Sequence, residues 1–434
     1  MKAGTAAKNI TPPIGANTPV GETTGIHDSL FLKALVLDDG ANPVAIVCLD
    51  LSGGSAAFCY AMAERIQERT GIQHTLINFS HTHSAPGGGL PGDAGTGEMN
   101  RWMEDLNESI PATVGEACEN RFSVALRAGR APVQVGFNRR LPDKDGFVHM
   151  AVNENGAVVP WTNVLQICAE NGDTRLVLFE HAAHPVIVHG ASSLCGADYT
   201  GFAVQRINEK LGDDVTAIFA QGCGGNVNGY PLRGGWDKAE EAGHILGDAV
   251  IGALPNTTKI IGDSFNVRST RVMLPAPLPS MEVWHKTHNL LKRIAYERGT
   301  AGHELYRGMI GSLEIMRGMI ERGEQPESRF DITAVSIGTE WCLITMPQEP
   351  FCEYELWVDE NAPFDHVMVF GYTNGQMGYV PTDKALARGE KGGYEAGSCP
   401  SIRGHALRSQ THAPFAVGIE GMIHDAISSL WNRN

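Results

Sequence analysis

Two histidines, His81 and His83, stand one residue apart in the run Ser80-His81-Thr82-His83-Ser84, directly after an apolar segment. On an extended chain, side chains two residues apart point to the same side, so both imidazoles would face one space. Such a pair suits a metal ion, or one metal ligand together with one general acid or base. A pair of surface histidines is the alternative that this spacing leaves open.

A second group of histidines closes another apolar run, with His181 and His184 followed by His189. His184 precedes a proline, which favours an extended backbone at this position, and it is the stronger candidate for a metal ligand. His181 is equally compatible with a solvated residue or a helix end. The sequence therefore offers a second histidine motif that would have to meet the first one in space.

Two later motifs add a carboxylate and a tyrosine. Glu349 lies between two prolines at the end of an apolar run, where it is either a site residue or part of a surface loop. Tyr379 follows in Gly378-Tyr379-Val380, within a glycine-rich stretch. Tyrosine is an uncommon zinc ligand, so the spacing by itself does not nominate Tyr379.

The elements that must position these residues follow an alternation of strand-like and helix-like runs, which predicts an α/β fold with a mixed sheet sandwiched by helices. Residues 80–97 are too rich in glycine and proline for regular structure and suit an active-site loop. We expect two lobes that form one catalytic unit, residues 1–255 and 256–434, with a helical insertion at about 282–324. The predicted strands are 30–37, 43–51, 75–79, 123–128, 164–169, 175–179, 217–220, 332–337, 341–346 and 367–372, and the predicted helices are 56–70, 98–119 and 416–431.

The composition excludes several classes of partner. Apolar residues make up 42% of the chain and charged residues 19%, as in an ordinary folded protein. A net charge of −15 argues against a nucleic-acid or membrane partner. The first residues contain no apolar signal segment and no run of about 18 apolar residues occurs, so the sequence predicts a cytoplasmic protein. Nine cysteines without a Cys-x-x-Cys pair fit a reducing compartment.

Taken together, the motifs resemble those of the neutral and alkaline (non-lysosomal) ceramidase family. The run Asn9-Ile10-Thr11-Pro12-Pro13 is similar to the opening motif of that family. The run HTHSAPGG, residues 81–88, is similar to its first zinc motif, and the later motifs follow in the same order across nearly the whole chain. The resemblance implies about one zinc ion per chain. The ligands it implies are His81, His184, Glu349 and Tyr379.

The resemblance also implies a catalytic role for His83, an oxyanion-contacting role for Arg139 and a substrate contact for Tyr394. The chemistry of these residues is coherent by itself. Zinc with an open position lowers the pKa of bound water toward about 7. An imidazole such as that of His83 can pass a proton to a leaving amine, and a guanidinium stabilises a developing oxyanion or a substrate carboxylate.

The chain departs from the family pattern at Gln221-Gly222-Cys223-Gly224-Gly225-Asn226, where ceramidases carry Gly-Asp-Val-Ser-Pro-Asn. With Asn226 aligned, Gly224 occupies the position of the serine, so we expect ceramide to be a poor substrate. Cys223, Gly224 and Asn226 are predicted to contact the substrate. The glycines form either a tight turn or an opening for substrate. Ceramidases have a further immunoglobulin-like domain, and we expect this chain to correspond to their catalytic domain only.

The sequence thus predicts a zinc-dependent amidohydrolase that acts on a small soluble substrate, such as an N-acyl amine, an N-acyl amino acid or a lactam. An esterase or lactonase at the same zinc site is the nearest alternative. A hydrolase with Cys223 as its nucleophile and a metal-binding protein without turnover are two others. The sequence leaves open whether the chain forms a homo-oligomer.

Overall fold

The computed structural model describes residues 1–93, 97–212, 214–297, 310–311, 313–375, 378–396 and 415–431. Two β-sheets packed face to face form its centre, and helices cover the outer face of each sheet. This is a mixed α/β fold, so the fold class predicted from the alternating pattern is confirmed.

The large sheet has nine strands and the small sheet has four. The strands of the large sheet are β1 Lys2–Asn9, β2 Phe31–Asp38, β3 Val44–Leu49, β4 His74–Phe79, β5 Phe122–Pro132, β6 Trp161–Ala169, β7 Thr174–His181, β8 Thr216–Gln221 and β9 Thr258–Lys259. Those of the small sheet are β10 Asn266–Pro275, β11 Glu327–Ile337, β12 Trp341–Thr345 and β13 His366–Phe370.

The helices lie in chain order between and after these strands. They are α1 Ala56–Thr70, α2 Glu98–Glu119, α3 Asp198–Leu211, α4 Trp236–Ala253, α5 Met281–Glu297, α6 at residues 313–321, α7 Cys352–Asn361, α8 Asp383–Leu386 and α9 Ile419–Trp431. Helices α1 and α2 pack on one half of the large sheet, α3 and α4 on its other half, and α7 and α9 on the small sheet.

The large sheet curls until its two outer strands approach each other. Its order is β8-β7-β6-β5-β1-β2-β3-β4, with β9 added on β5, so β4 and β8 stand at opposite ends. Nevertheless, Asn78 in β4 accepts a hydrogen bond from the backbone N–H of Gln221 in β8, at 2.8 Å. The Asn78 amide also donates to the carbonyl of Gly371, which follows β13, at 2.8 Å. The loops after β4, β8 and β13 therefore converge on one point.

The core between the two sheets is apolar and closed to solvent. Leu35, Ile46 and Leu178 of the large sheet contact the same cluster as Trp341 and Phe370 of the small sheet, all at most 1% exposed. Burying each such side chain contributes about 1.5–3 kcal/mol before the entropic cost of ordering it. This packing fixes the two sheets against each other and thereby fixes the loops at their shared edge.

Local sequence explains where α1 begins and ends. The Ser55 hydroxyl caps the helix by accepting the N–H of Phe58, and Gly71, at a φ of 78°, ends it in the left-handed conformation. The helix spans the predicted residues 56–70.

Strand β1 was not predicted from the sequence, because its alanines, glycine and lysines have low strand preference. It forms a strand because β2 and β5 pair with it on both sides.

The predicted boundary between the two lobes, at residue 255, does not coincide with the change from the large sheet to the small sheet. Strand β9 lies beyond residue 255 and still pairs with the large sheet, so the change of sheet falls between residues 259 and 266. The division into two lobes stays a prediction. Helices α5 and α6 lie within residues 282–324 or at their edge and share a small core around Trp284 and Met316, while residues 298–309 lie outside the described ranges. The insertion also stays a prediction. Among the described residues, no helix combines the length and apolarity needed to cross a bilayer.

Two buried carboxyl groups face each other beneath the converging loops. Glu180 in β7 and Glu355 in α7 are both at most 1% exposed. The Glu355 carboxylate accepts the N–H of Cys223, and Glu180 accepts the Asn163 amide. Burial above all raises the pKa of Glu355 to about 8, and burial together with Glu355 raises the pKa of Glu180. The pair therefore retains a proton near neutral pH.

This pair generates a pH-dependent stability prediction. Because the folded-state pKa of Glu355 is raised from its ordinary 4.5 to about 8, the folded protein binds more protons than the unfolded chain between these values, so the free energy of unfolding falls as pH rises through this range. Replacing Glu355 with glutamine removes the ionisation while keeping an acceptor for Cys223. We expect Glu355→Gln to be more stable than wild type by roughly 1–3 kcal/mol at about pH 9.

The measurement is urea unfolding across this pH range. Glu360→Gln, on the exposed face of the same helix, is the matched control and should follow the wild-type profile. Parallel pH profiles for Glu355→Gln and wild type would show that this carboxyl group does not titrate as described.

Candidate metal centre

His81 lies in the loop after β4, in a strained backbone conformation. Its φ is 65°, which non-glycine residues adopt at a cost of about 1–3 kcal/mol and which is concentrated at functional sites. Its Nδ1 lies 2.5 Å from the carbonyl oxygen of Ser52. The loop is thus not the extended chain that the sequence pattern predicts, yet the rings of His81 and His83 still meet, with centroids 4.8 Å apart.

His184 lies in the loop after β7 and is fully buried. Its Nδ1 is 2.7 Å from the carbonyl oxygen of Gly224 and 3.1 Å from that of Val227. Burial above all lowers the pKa of His184 to about 4, so the ring is neutral and carries one proton. Since a carbonyl only accepts, that proton is on Nδ1, and Nε2 presents a lone pair.

Glu349 brings a carboxylate to the two histidines. It starts a short strand, Glu349–Pro350, that pairs in parallel with Tyr379–Val380. Its Oε2 lies 3.1 Å from His184 Nε2 and 3.6 Å from His81 Nε2. Each histidine has its Nδ1 on a carbonyl and its Nε2 facing this oxygen, and the Nε2 of the neutral His184 ring is an acceptor. Two imidazole nitrogens and a carboxylate that meet in a buried site fit a bound cation, and imidazole with carboxylate is a donor set that suits zinc.

His83 extends the cluster toward an open cavity. The candidate ligand atoms of His81, His83 and His184 lie within 4.8 Å of one another, so this trio is also able to hold a metal ion. His83 Nε2 is 3.2 Å from His81 Nε2, and His83 Nδ1 is 3.2 Å from Nδ1 of His189. Burial first, then the neighbouring histidines and Arg139, hold the pKa of His83 well below its usual value, so this ring is neutral.

Tyr379 and Tyr394 form an aromatic wall beside the histidines. The Tyr379 ring is 6.1 Å from the His184 ring and 5.6 Å from the Tyr394 ring, centroid to centroid. Burial raises the pKa of the Tyr379 phenol, with Glu349 adding to the effect and Arg139 opposing it. A cation at Glu349 would favour the phenolate form of this buried hydroxyl group.

Arg139 is held in a buried network of charges. Its Nε donates to Glu395 at 2.7 Å, its Nη1 donates to Asn228 at 2.7 Å, and its guanidinium lies 5.1 Å from the centre of the Tyr379 ring. Arg140 donates to the other oxygen of Glu395 at 2.5 Å. Burial by itself raises the pKa of Glu395, but the two arginines lower it more. Two cations on one carboxylate leave a net positive charge near the histidines.

Residues 221–226, which include Cys223, pack against the segments that carry His184 and Glu349. Cys223 and Asn226 are at most 1% exposed, and Asn226 binds the backbone N–H of Cys352 and the Glu353 carboxylate. A Cβ on Gly224 would come within 2.7 Å of the Gln221 amide, and one on Gly225 within 2.4 Å of the Glu349 carbonyl. The glycines therefore make room for the protein's own chain, which favours the tight turn over an opening for substrate.

The described residues that line the cavity include none of Cys223, Gly224, Asn226 and Arg139, so the predicted contacts of these four residues with the substrate stay predictions. Gly224 acts through its carbonyl, which holds His184. Burial above all raises the pKa of the Cys223 thiol well above its usual value, and Glu355 and Glu180 raise it further. A neutral, buried thiol is a poor nucleophile.

The cavity has a volume of about 640 Å³ and reaches His81, His83, His189, Glu349, Tyr379 and Tyr394. Residues 52–55 and 87–88 also line this cavity. The sequence did not assign a role to His189, although it lies in the same loop as His184, nor to Glu395, although it follows Tyr394. Ser52 contacts His81 through its backbone carbonyl, so its side-chain type gives no indication of this role in the sequence. His181 binds Gln134 at 3.1 Å outside this cavity.

Comparisons with known proteins identify the fold. The structure of a neutral ceramidase from Pseudomonas aeruginosa superimposes with a TM-score of 0.66 and 18% sequence identity, over 90% of this chain and 70% of that chain. A structure titled "Ceramidase complexed with C2" gives a TM-score of 0.67 at 16% identity, over 95% and 72% of the two chains. No protein-family model and no curated protein matches the sequence. The chain has a neutral-ceramidase-like fold, as its motifs predict.

The charge network around Arg139 gives a stability prediction. Glu395→Ala leaves two arginines buried without their shared carboxylate, and we expect the free energy of unfolding to fall by roughly 3–5 kcal/mol. Glu390→Ala removes an exposed carboxylate from the same segment and should change stability by less than about 0.5 kcal/mol. Urea unfolding of both variants at neutral pH is the measurement. Equal stability of the two variants would contradict the described network.

Proposed function

We propose that this protein is a zinc-dependent hydrolase that cleaves an amide bond in a small soluble substrate. The observation that carries the proposal is the meeting of His81 Nε2, His184 Nε2 and the Glu349 carboxylate in a buried site beside a cavity. The ceramidase-like fold supports amide hydrolysis as the type of reaction. The zinc ion and the substrate class are the parts of this proposal that experiment has to test.

In the proposed site, His81, His184, Glu349 and Tyr379 hold the zinc ion. When bound, zinc supplies an activated water molecule and polarises the substrate carbonyl. His83 carries a neutral imidazole next to these ligands, so it would accept a proton from the attacking water and then pass that proton to the leaving amine. Arg139 stabilises negative charge that develops on the carbonyl oxygen, because Glu395 and Asn228 fix its orientation and leave the network net positive.

The cavity supports a small substrate. Its volume of about 640 Å³ is within the range of about 300–1,000 Å³ for small-molecule sites. Tyr394 lines this cavity and would contact the substrate there. We propose an N-acyl amine, an N-acyl amino acid or a lactam as the substrate, with esters and lactones as the nearest alternative because they present the same carbonyl. A cytoplasmic location fits the eight free cysteines of the described residues.

The metal site is tested by zinc content. Wild-type protein should bind about one zinc ion per chain, and His81→Ala and His184→Ala should each lose it, because each removes a lone pair that has no substitute in the buried site. His244→Ala, on α4 and away from the cavity, is the control that should retain zinc. Elemental analysis that finds full zinc in both site variants would refute these ligands.

The mechanism is tested on whichever substrate a screen of small amides, lactams and esters identifies, with long-chain ceramide included for comparison. Cys223→Ala should keep most of the activity, whereas chelation should abolish it and added zinc should restore it. His83→Ala should retain zinc and lose about 100-fold or more in kcat, which is typical of removing a general acid or base.

Two results would contradict this mechanism. One is an inactive Cys223→Ala protein that still binds zinc, together with wild-type activity that survives chelation, as a catalytic thiol predicts. The other is turnover of ceramide that is faster than turnover of every small amide tested, which would contradict the substrate class.

A further inference from the structure

A second large cavity lies beside the edge strand β8, between helix α3 and strand β2. Its volume is about 940 Å³, which falls in the range of about 300–1,000 Å³ for small-molecule sites. Among the described residues, none that lines it also lines the cavity at the metal centre. Its apolar part includes Phe31, Phe202 and Val215, and its polar part includes Lys33, Asp50 and Asn208. A cavity in which a few polar groups converge beside apolar side chains is typical of a ligand site.

Two donor groups of this cavity are held side by side on the main chain of Ala217 in β8. The N–H of Ala217 donates to Asn208 Oδ1 at 3.0 Å, and Lys33 Nζ donates to the Ala217 carbonyl at 2.8 Å. Both main-chain groups of one strand residue point to the same side, so the two side chains approach β8 together. Within the described part of the chain, two of the three ammonium N–H groups of Lys33 and the NH₂ group of Asn208 have no protein partner.

A carboxylate lies diagonally across the sheet from Lys33. Lys33 in β2 pairs with Cys48 in β3, and Asp50 lies two residues beyond Cys48, where diagonal neighbours are about 7–8 Å apart. Asp50 Oδ2 accepts the N–H of Phe31 at 2.9 Å, while Oδ1 has no partner and no ion pair joins Asp50 to Lys33 among the described residues. Burial raises the pKa of Asp50 to about 6, against the effect of Lys33, and burial lowers the pKa of Lys33. Two opposite charges therefore stand apart at one cavity, each incompletely compensated.

We propose that this cavity binds a free α-amino acid with an apolar side chain. The ligand carboxylate accepts hydrogen bonds from Lys33 and Asn208, and the ligand ammonium group donates to Asp50 Oδ1. The ligand side chain packs against Phe202 and Val215. A zwitterion supplies both charges, whereas a simple carboxylic acid leaves Asp50 unmatched and a simple amine leaves Lys33 unmatched.

The amino-acid site goes beyond the proposed hydrolysis and uses none of the residues assigned to it. Hydrolysis of an N-acyl amino acid would release a free amino acid, so the cavity takes a ligand of the same class as that product. Binding at this cavity needs neither the zinc ion nor turnover, because the groups that contact the ligand are Lys33, Asp50 and Asn208.

The charge pattern is tested with three ligands that share one apolar side chain. Leucine carries both charges, 4-methylpentanoate lacks the ammonium group and 3-methylbutylamine lacks the carboxylate. We expect isothermal titration calorimetry of the zinc-loaded wild-type protein to show leucine binding, with each of the other two compounds at least about tenfold weaker. No saturable leucine binding up to about 10 mM, or equal binding of either singly charged compound, would overturn the proposal.

Substitutions assign each charge of the ligand to a residue. Asp50→Asn keeps an acceptor for the Phe31 N–H and removes the charge, so leucine should bind at least about tenfold more weakly while binding of 4-methylpentanoate changes little. Lys33→Met keeps the apolar stem and should weaken both compounds, but not 3-methylbutylamine. Lys210→Met, at the exposed end of α3, is the matched control and should bind leucine as wild type does. Wild-type leucine binding in both cavity variants would overturn the proposal, and the ligand series in wild type decides it if a variant fails to fold.

A further variant separates this cavity from the metal centre. Tyr394→Ala alters the cavity at the metal centre and should leave leucine binding unchanged. Leucine binding that is lost in Tyr394→Ala but retained in Lys33→Met would place the amino acid at the metal centre and overturn the inference. Because calorimetry requires no turnover, a screen that finds no substrate would count against the proposed function alone.

Discussion

The meeting of three acceptor atoms at Glu349 is the interaction on which the rest of the site depends. Two imidazole lone pairs and a carboxylate oxygen repel one another, and burial among apolar side chains strengthens that repulsion. The protein holds them together by fixing the Nδ1 atoms of His81 and His184 on backbone carbonyls. A cation would relieve this repulsion, so the cluster could hold a metal ion.

Holding that arrangement requires loops from both sheets to meet. Asn78 links the ends of β4 and β8 with the loop after β13, through hydrogen bonds to Gln221 and Gly371. The apolar core between the sheets makes this junction rigid, so the loops that carry His81, His184 and Glu349 keep their separation. The positive φ angles of His81 and Gln348 show that strain is concentrated at the ends of these loops.

Charge is distributed unevenly around this junction. On the cavity side, Arg139 and Arg140 share Glu395 and leave a positive field that opposes protonation of His83 and His184. On the far side, Glu180 and Glu355 face each other with raised pKa values. The first network prepares a site for an anion or a developing oxyanion, whereas the second keeps a carboxyl group neutral beneath it.

The sequence by itself determined the class of fold, most strands and the residue types that reach the site, because hydrophobic periodicity and the motifs around His81, His184 and Glu349 are local properties of the chain. It did not predict β1, whose weak strand preference is overridden by two neighbouring strands. Only the tertiary structure decided that Cys223 and Asn226 lie beneath the cavity, that Glu395 fixes Arg139 and that His189 meets His83. These positions depend on contacts between loops that are far apart in the chain. The contact of His81 with the Ser52 carbonyl could not be predicted either, because any residue type supplies a backbone carbonyl.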